Sequence, residues 1–310
     1  MAVTDLFAGV DLGGTNVTVA LGAAERKIPT DGHEGPEAVV ARIAEAVRSL
    51  GGKPKALGMG VPGLADLDAG TTKFLPNLPT QWRDVPVRKI LGAALGCDVF
   101  LLNDVRAATL GELVHGHGRG ARTMAFFSLG TGVGGGIVVD GKLRLGPLGA
   151  AGELGHQTIL PDGAACSCGN RGCLETLASG PAIAAEGVRL LLGGSAPRLH
   201  ALAGGDASKV TPEAMARSGD PAVIEAIARA ARFLAIGVAN AIVALHPELV
   251  VIGGGVAGMG EPLFSPLREE VARRVGGLLG PSPSRIERSA LGDRAGILGA
   301  LALAERNGKV

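Results

Sequence analysis

The chain has 310 residues, a length that favours one large or two medium domains with enough volume for buried cores. Its 30 Lys and Arg residues balance 29 Asp and Glu residues, so the charge gives no support to a nucleic-acid or anionic-membrane surface. Glycine accounts for 51 residues, more than twice the usual frequency of about 7%. These glycines cluster between apolar runs and predict many tight turns.

Neither a secretory leader nor a membrane span is expected. The first five residues carry no basic stretch ahead of a strand-like run. The longest apolar segment, Phe233 to Leu245, has about 13 residues, whereas a membrane helix needs about 20. We therefore expect a cytoplasmic protein with no membrane partner.

Strands and helices alternate in the first part of the chain. Leu6 to Asp11 and Val17 to Leu21 are predicted strands joined by a turn at Gly13-Gly14, and Pro36 to Leu50 has the period of an amphipathic helix. The elements predicted after it are the strand Ala56 to Val61, the helix Val87 to Leu95, the strand Asp98 to Leu102 and the helix Val105 to Val114.

The strand and glycine-turn pattern then starts again. A strand from Thr123 to Leu129 leads into the glycine-rich turn Gly130 to Gly136 and a second strand ending at Val139. The later predictions are helices at Pro181 to Leu192 and Pro221 to Leu245, a buried strand at Leu249 to Ile252 before Gly253 to Gly255, and helices at about Pro262 to Val275 and Ala295 to Arg306.

The repeated opening predicts two similarly built α/β domains. We expect residues 1–115 to form a small domain and residues 116–294 a larger one, with the helix in 295–310 packing back on the first. The stretch Gly193 to Val210, rich in small and polar residues, predicts a mobile loop.

Three glycine-rich turns at strand ends are suited to binding anions. They are formed by residues 11–16, 130–136 and 253–255. Backbone amides in such turns approach an anion without obstruction from side chains. One turn alone is equally typical of an ordinary hairpin, so the indication of a phosphate ligand depends on having three.

The residues around the second turn resemble a known family. Residues 129–137, with the sequence LGTGVGGGI, are followed by Gly146 and by Gly-Glu-Leu-Gly-His at 152–156. This set resembles the signature of the ROK family (repressor, open reading frame, kinase) of the actin and hexokinase superfamily, and the match extends from Asp11 to Gly255. The resemblance implies two ribonuclease-H-like α/β domains, with ATP and a sugar bound in an interdomain active-site cleft.

A cluster of cysteines resembles the zinc site of this family. His156, Cys166, Cys168 and Cys173 have the spacing H-x9-C-x-C-x4-C and can supply four tetrahedral nitrogen and sulfur ligands to a structural Zn²⁺. The alternative, reduced cysteines buried as small hydrophobic residues, explains poorly why three of them lie within eight residues among polar neighbours.

The resemblance also assigns catalytic and sugar-binding residues. Asp104 matches the general base, which accepts the proton of the sugar hydroxyl as its oxygen attacks the γ-phosphorus. Without the resemblance, Asn103-Asp104 is better explained as a helix cap, and the alternative for Glu153 and Glu175 is that they are solvated charges at helix ends. The residues that match sugar contacts are Gly63, Asn77, Asn103, Asp104, Glu153, His156 and Glu175.

The nucleotide is assigned to the three glycine turns. The matching residues are Gly13, Gly14, Thr15, Asn16, Thr131, Gly132, Gly254, Gly255 and Val256. Asp11 is expected to orient Mg²⁺ through water. Many relatives carry Lys where Asn16 stands, so Mg²⁺ and backbone amides must here provide more of the charge stabilisation.

The resemblance therefore implies an ATP-dependent hexose kinase, most like the glucose kinases of the family, acting on the sugar 6-hydroxyl. A kinase for fructose, N-acetylmannosamine or N-acetylglucosamine stays open, because the same carboxylates bind hydroxyls that these sugars share. A sugar-responsive regulator is disfavoured, since such proteins carry a DNA-binding helix-turn-helix before the first strand, which here begins at Leu6. The expected partners are the sugar, ATP and further copies of the chain in a homodimer or homotetramer, with no nucleic acid.

Overall fold

The computed structural model describes residues 6–147, 149–280 and 284–310. The first five residues, on which the expectation about a leader depends, lie outside that part. Across the described ranges, every helix is too short or too polar to cross a membrane.

The described residues form strands and helices throughout the chain. The strands are β1 (Phe7–Leu12), β2 (Asn16–Leu21), β3 (Ala24–Pro29), β4 (Ala56–Val61), β5 (Leu64–Asp66), β6 (Thr71–Phe74), β7 (Asp98–Asn103), β8 (Met124–Leu129), β9 (Val133–Val139), β10 (Lys142–Leu143), β11 (Leu249–Gly253) and β12 (Arg285–Arg288). The α-helices are α1 (Pro36–Ser49), α2 (Val87–Leu95), α3 (Asp104–His115), α4 (Glu175–Ala178), α5 (Gly180–Leu192), α6 (Pro197–Ala203), α7 (Pro212–Ser218), α8 (Pro221–Leu245), α9 (Glu261–Leu279) and α10 (Ala295–Glu305).

Two five-stranded sheets share one strand order. The first runs β3-β2-β1-β4-β7 and the second β10-β9-β8-β11-β12. In the first, β1 pairs antiparallel with β2 and parallel with β4, and β4 pairs parallel with β7. In the second, β8 and β12 both pair parallel with β11. The duplicated order confirms the predicted repetition of the strand, glycine turn and strand opening.

The chain forms two compact units. The first contains described residues of 1–120, 136–152 and 293–310, and the second contains described residues of 121–135 and 153–292. Each unit has its own apolar core: the first is built on residues such as Val10, Met59 and Leu101, the second on residues such as Phe127, Leu234 and Ile252.

The C-terminal helix α10 packs closely within the first unit. A Cβ atom on Gly58 of β4 would lie 2.0 Å from the carbonyl oxygen of Ala300, and one on Gly299 would lie 1.7 Å from that of Ala107 in α3. Only glycine fits at these two positions, because the obstructing atoms belong to backbone rather than to flexible side chains.

The stretch Gly193 to Val210 is not the loop that its composition predicts. It contains α6, whose Leu199 and Ala203 are buried in the core of the second unit. The Asp220 carboxylate accepts hydrogen bonds from the backbone N–H groups of Arg198 (3.2 Å) and Leu199 (2.8 Å). The prediction was wrong because this stabilising partner comes from 21 residues further along the chain.

Candidate active site and metal centre

Residues 156–173 of the second unit, here called the metal-binding loop, are held in shape by hydrogen bonds between their own backbone groups. Short antiparallel bridges join Thr158 to Cys173 and Ala165 to Arg171. The N–H of Cys166 donates to the carbonyl of Asn170 at 2.8 Å, and the N–H of Gly169 donates back to Cys166 at 3.0 Å. These bonds turn the chain sharply between the cysteines, so that thiols separated in sequence face one another.

The four predicted ligands meet at one point. One ligand atom from each of His156, Cys166, Cys168 and Cys173 lies within 4.8 Å of every other. Tetrahedral zinc with Zn–S bonds of about 2.3 Å and Zn–N bonds of about 2.0 Å requires S···S separations of about 3.8 Å and S···N separations of about 3.5 Å. The Sγ atoms of Cys168 and Cys173 are 3.7 Å apart, and Cys166 Sγ is 3.6 Å from His156 Nδ1.

The raised pKa of the Cys173 thiol is consistent with a metal site at this position. Burial, reinforced by the two neighbouring thiols, raises the pKa of Cys173 to about 12. A metal-free Cys173 therefore keeps its proton at neutral pH, and a bound cation supplies the charge that a buried thiolate needs. The donor set and its spacing fit a structural zinc ion held by three cysteines and one histidine.

His156 has its second ring nitrogen directed away from the cysteines. Nδ1 faces Cys166, whereas Nε2 lies 4.0 Å from the Oε2 atom of Glu153. Gly155, between them in a short 3₁₀ turn, lies so close to Val133 that a Cβ atom would be 1.8 Å from its carbonyl oxygen. The structure thus places the side chains of Glu153 and His156 near each other on the segment next to β9.

Glu175 connects the metal-binding loop to the second glycine turn. Its Oε2 accepts a hydrogen bond from the N–H of Val133 at 2.9 Å, and its Oε1 lies 3.8 Å from Cys166 Sγ. A Cβ atom on Gly132 would lie 2.3 Å from Oε2. Glu175 is the first residue of α4, but it is not merely a solvated charge there, because its carboxylate accepts a hydrogen bond from the turn that bears Thr131.

The second and third glycine turns lie together in the second unit. They follow β8 and β11, which pair in parallel, so their carboxyl ends are at the same edge of the sheet. Gly254 has φ +79°, and a Cβ atom there would lie 2.3 Å from the carbonyl oxygen of Leu129. The predicted nucleotide residues that this arrangement groups are Thr131, Gly132, Gly254, Gly255 and Val256.

In the first unit, Asn103 and Asp104 mark the end of β7 and the start of α3. Asn103 caps the helix: its Oδ1 accepts from the N–H groups of Val105 (3.1 Å) and Arg106 (3.2 Å). Its Nδ2 donates to Asp104 Oδ1 at 2.9 Å and to the carbonyl of Gly63 at 3.2 Å. The structure therefore brings together Gly63, Asn103 and Asp104, and the capping interpretation holds for Asn103 alongside any other role.

The first glycine turn joins β1 to β2 beside a buried carboxylate. The N–H of Gly13 donates to the carbonyl of Asn16 at 2.9 Å, and a Cβ atom on Gly14 would lie 3.0 Å from the carbonyl oxygen of Asn77. Burial raises the pKa of Asp11, which precedes the turn, to about 6. The turn thus lies next to Asn77, another of the predicted residues.

One charged residue at this site was not singled out by sequence reasoning. Arg106 is only 1% exposed and donates to Asn103. The sequence shows only that Arg106 lies three residues after the Asn103 cap. It does not show that the carbonyl groups of residues 150 and 151 accept hydrogen bonds from the guanidinium, which is what stabilises a buried arginine.

Comparison with known proteins assigns the chain to a family. The model of the ROK family matches residues 7–307. The chain belongs to the ROK family. The resemblance stated from its motifs is thereby confirmed.

Named relatives and solved structures are similar to this chain along nearly its whole length. A glucokinase of Thermotoga maritima is 38% identical, with 95% of this chain and 96% of that protein covered. A ROK family glucokinase from Streptomyces griseus, solved in complex with glucose and AMPPNP, is 32% identical with a TM-score of 0.85, covering 97% of this chain and 99% of that one. A ROK hexokinase from Thermus thermophilus is 35% identical with a TM-score of 0.81, covering 97% and 98%. These likenesses confirm the predicted α/β fold of the actin and hexokinase superfamily.

Proposed function

We propose that the chain is an ATP-dependent glucose kinase that transfers the γ-phosphoryl group of MgATP to the 6-hydroxyl of glucose. The observation that carries the proposal is the near full-length similarity to glucokinases, one of them solved with glucose and AMPPNP. Sugar and ATP are then its substrates.

Asp104 is the proposed general base. The glucose O6 attacks the γ-phosphorus, a new O–P bond forms, and the bond from the γ-phosphorus to the bridging oxygen breaks to release ADP. The hydroxyl proton passes to Asp104. Its position is supported by two hydrogen bonds to Oδ1, one from Asn103 Nδ2 and one from the N–H of Val105 at 2.8 Å. A carboxylate suits the step because phosphoryl transfer needs an oriented nucleophile more than a strong base.

The other proposed site residues bind and orient the sugar and the nucleotide. We propose that sugar hydroxyls are held by Gly63, Asn77, Asn103, Glu153, His156 and Glu175. The nucleotide contacts are Gly13, Gly14, Thr15, Asn16, Thr131, Gly132, Gly254, Gly255 and Val256. When bound, Mg²⁺ neutralises phosphate charge, and Asp11 would orient it through water. The zinc ligands fix the loop that carries His156 and precedes Glu175, in the manner of outer residues that orient a site.

The assembly and location are part of the same proposal. We expect a cytoplasmic homodimer or homotetramer, as in the family.

A coupled assay with MgATP and a panel of sugars tests the substrate. Glucose should give the highest kcat/KM, with fructose, N-acetylmannosamine and N-acetylglucosamine lower, because polar groups left unpaired by a different hydroxyl pattern can cost several orders of magnitude. An equal or higher kcat/KM for one of the other sugars would contradict the glucose assignment alone. No phosphorylation of any hexose would contradict the kinase assignment as well.

A further inference from the structure

Arg106 is a charged side chain buried beside the proposed general base. It is the third residue of α3 and is 1% exposed. A buried guanidinium is costly unless its donors are paired. Its position therefore has to be explained by the groups that it contacts.

Those groups lie on two segments of the first unit. Nε donates to the carbonyl of Ala151 at 3.1 Å, and Nη2 donates to the carbonyl of Ala150 at 3.0 Å. Nη1 donates to Asn103 Oδ1 at 3.2 Å. Because the guanidinium is planar, the two backbone carbonyls fix the direction in which Nη1 points.

This contact reinforces the orientation of the Asn103 amide, whose oxygen also accepts from the N–H groups of Val105 and Arg106. An arginine side chain has no acceptor, so the atom of Asn103 that faces it must be the oxygen. The amide nitrogen is then turned toward Gly63 and toward Asp104 Oδ1. A reversed amide would place two donors against each other and would remove the hydrogen bond to Asp104.

We propose that Arg106 is a positioning residue for phosphoryl transfer, acting through Asn103 to hold the Asp104 carboxylate in its reactive orientation. The inference rests on the proposed function, in which Asp104 is the base. Loss of the guanidinium removes one of the three donors to Asn103 Oδ1 and holds the amide less firmly, so a smaller fraction of bound substrate has an aligned base. The effect therefore falls on kcat rather than on the KM for MgATP.

The test compares Arg106→Met and Arg106→Lys with a matched arginine. Arg88 is a half-buried arginine of the same unit whose Nε and Nη2 donate to the carbonyls of Val99 (2.9 Å) and Leu67 (2.6 Å). Arg106→Met should lower kcat about tenfold or more, with Arg106→Lys in between and the KM for MgATP within about twofold of the wild type. Arg88→Met should lower the Tm but leave kcat unchanged.

A double-mutant cycle separates positioning from a purely structural role. Arg106→Lys is combined with Asn103→Ala, and kcat is measured for the folded fraction. If Arg106 acts through Asn103, the Arg106→Lys effect disappears in the Asn103→Ala background. An undiminished effect there, or an unchanged kcat with only a lowered Tm, overturns the inference while the kinase proposal stands. A wild type that phosphorylates no hexose overturns both.

Discussion

At Asp104, the start of helix α3 and the proposed role as general base require the same orientation of the carboxylate. It is the first residue of α3, directly after the Asn103 cap, and its Oδ1 accepts from the N–H of Val105. A carboxylate is stabilised at a helix N-terminus by the free N–H groups and the helix dipole. Those groups also hold the carboxylate in one orientation, which is the requirement for a general base.

The substitution Asp104→Asn separates the structural role of this side chain from its proposed catalytic role. The amide side chain would keep an oxygen for the Val105 N–H but could not take up the proton of the sugar hydroxyl. We expect kcat to fall by about 10²-fold or more, with the Tm nearly unchanged. Steady-state kinetics and thermal unfolding of the variant measure both quantities. Turnover close to that of the wild type would leave Asp104 with only a structural role in the first turn of α3.

We predict that Asp11 makes the activity depend on pH. Burial raises its pKa to about 6, so the carboxyl becomes neutral as the pH falls through that value. If its charge orients hydrated Mg²⁺, kcat/KM for MgATP in the wild type should decrease below about pH 6, since this parameter reports the free enzyme. The profile of Asp11→Asn should be low and lack this acid limb. An acid limb retained in the variant would exclude Asp11 as its origin.

At the scale of elements, Glu175 joins the metal-binding loop to the second glycine turn. Glu175, two residues after the last zinc ligand, fixes the Val133 amide, and Gly132 leaves space for its carboxylate. His156 is one of the four residues that could hold zinc, and its segment also carries Glu153. A metal bound there would therefore fix the positions of three proposed sugar-binding residues.

Cys168→Ser should lose zinc and weaken sugar binding together. Removing one thiolate leaves three ligands, and loss of the metal frees His156 and the loop before Glu175. We expect the glucose KM to rise about tenfold or more, with zinc measured by elemental analysis. The matched control is Cys97→Ser, which changes a half-buried cysteine of the first unit outside the cluster. Stoichiometric zinc or an unchanged KM in Cys168→Ser would contradict this expectation.

The local features of these elements could be predicted, but the contacts between distant segments could not. The zinc ligands are given by spacing and side-chain chemistry, and β1 with its glycine turn by alternation and composition. Helix α6 was missed because Asp220 stabilises its first turn from 21 residues away. Arg106 was missed for the same reason, since residues 150 and 151 pair with its guanidinium only after the chain returns to α3.

At the scale of the whole molecule, the first unit is completed by the two ends of the chain. Its core contains β1 near the N-terminus, and α10 near the C-terminus packs on β4 and α3. The zinc ligands belong to the second unit, which has a separate core. Damage to the packing of α10 should therefore be observable without loss of the metal.

Gly299→Ala tests this division. The added methyl would lie 1.7 Å from the carbonyl oxygen of Ala107, and backbone of α3 or α10 would have to move. We expect the free energy of unfolding to fall by about 3 kcal/mol or more, at the upper end for overpacking. Hydrogen exchange should accelerate in β1, β4 and α3, while the zinc content stays stoichiometric.

The matched control is Gly276→Ala in α9, where a Cβ atom meets no neighbour within 4 Å and helix propensity should add up to about 1 kcal/mol of stability. Loss of zinc in Gly299→Ala, or faster exchange that extends into the second unit, would show that the two cores do not respond separately.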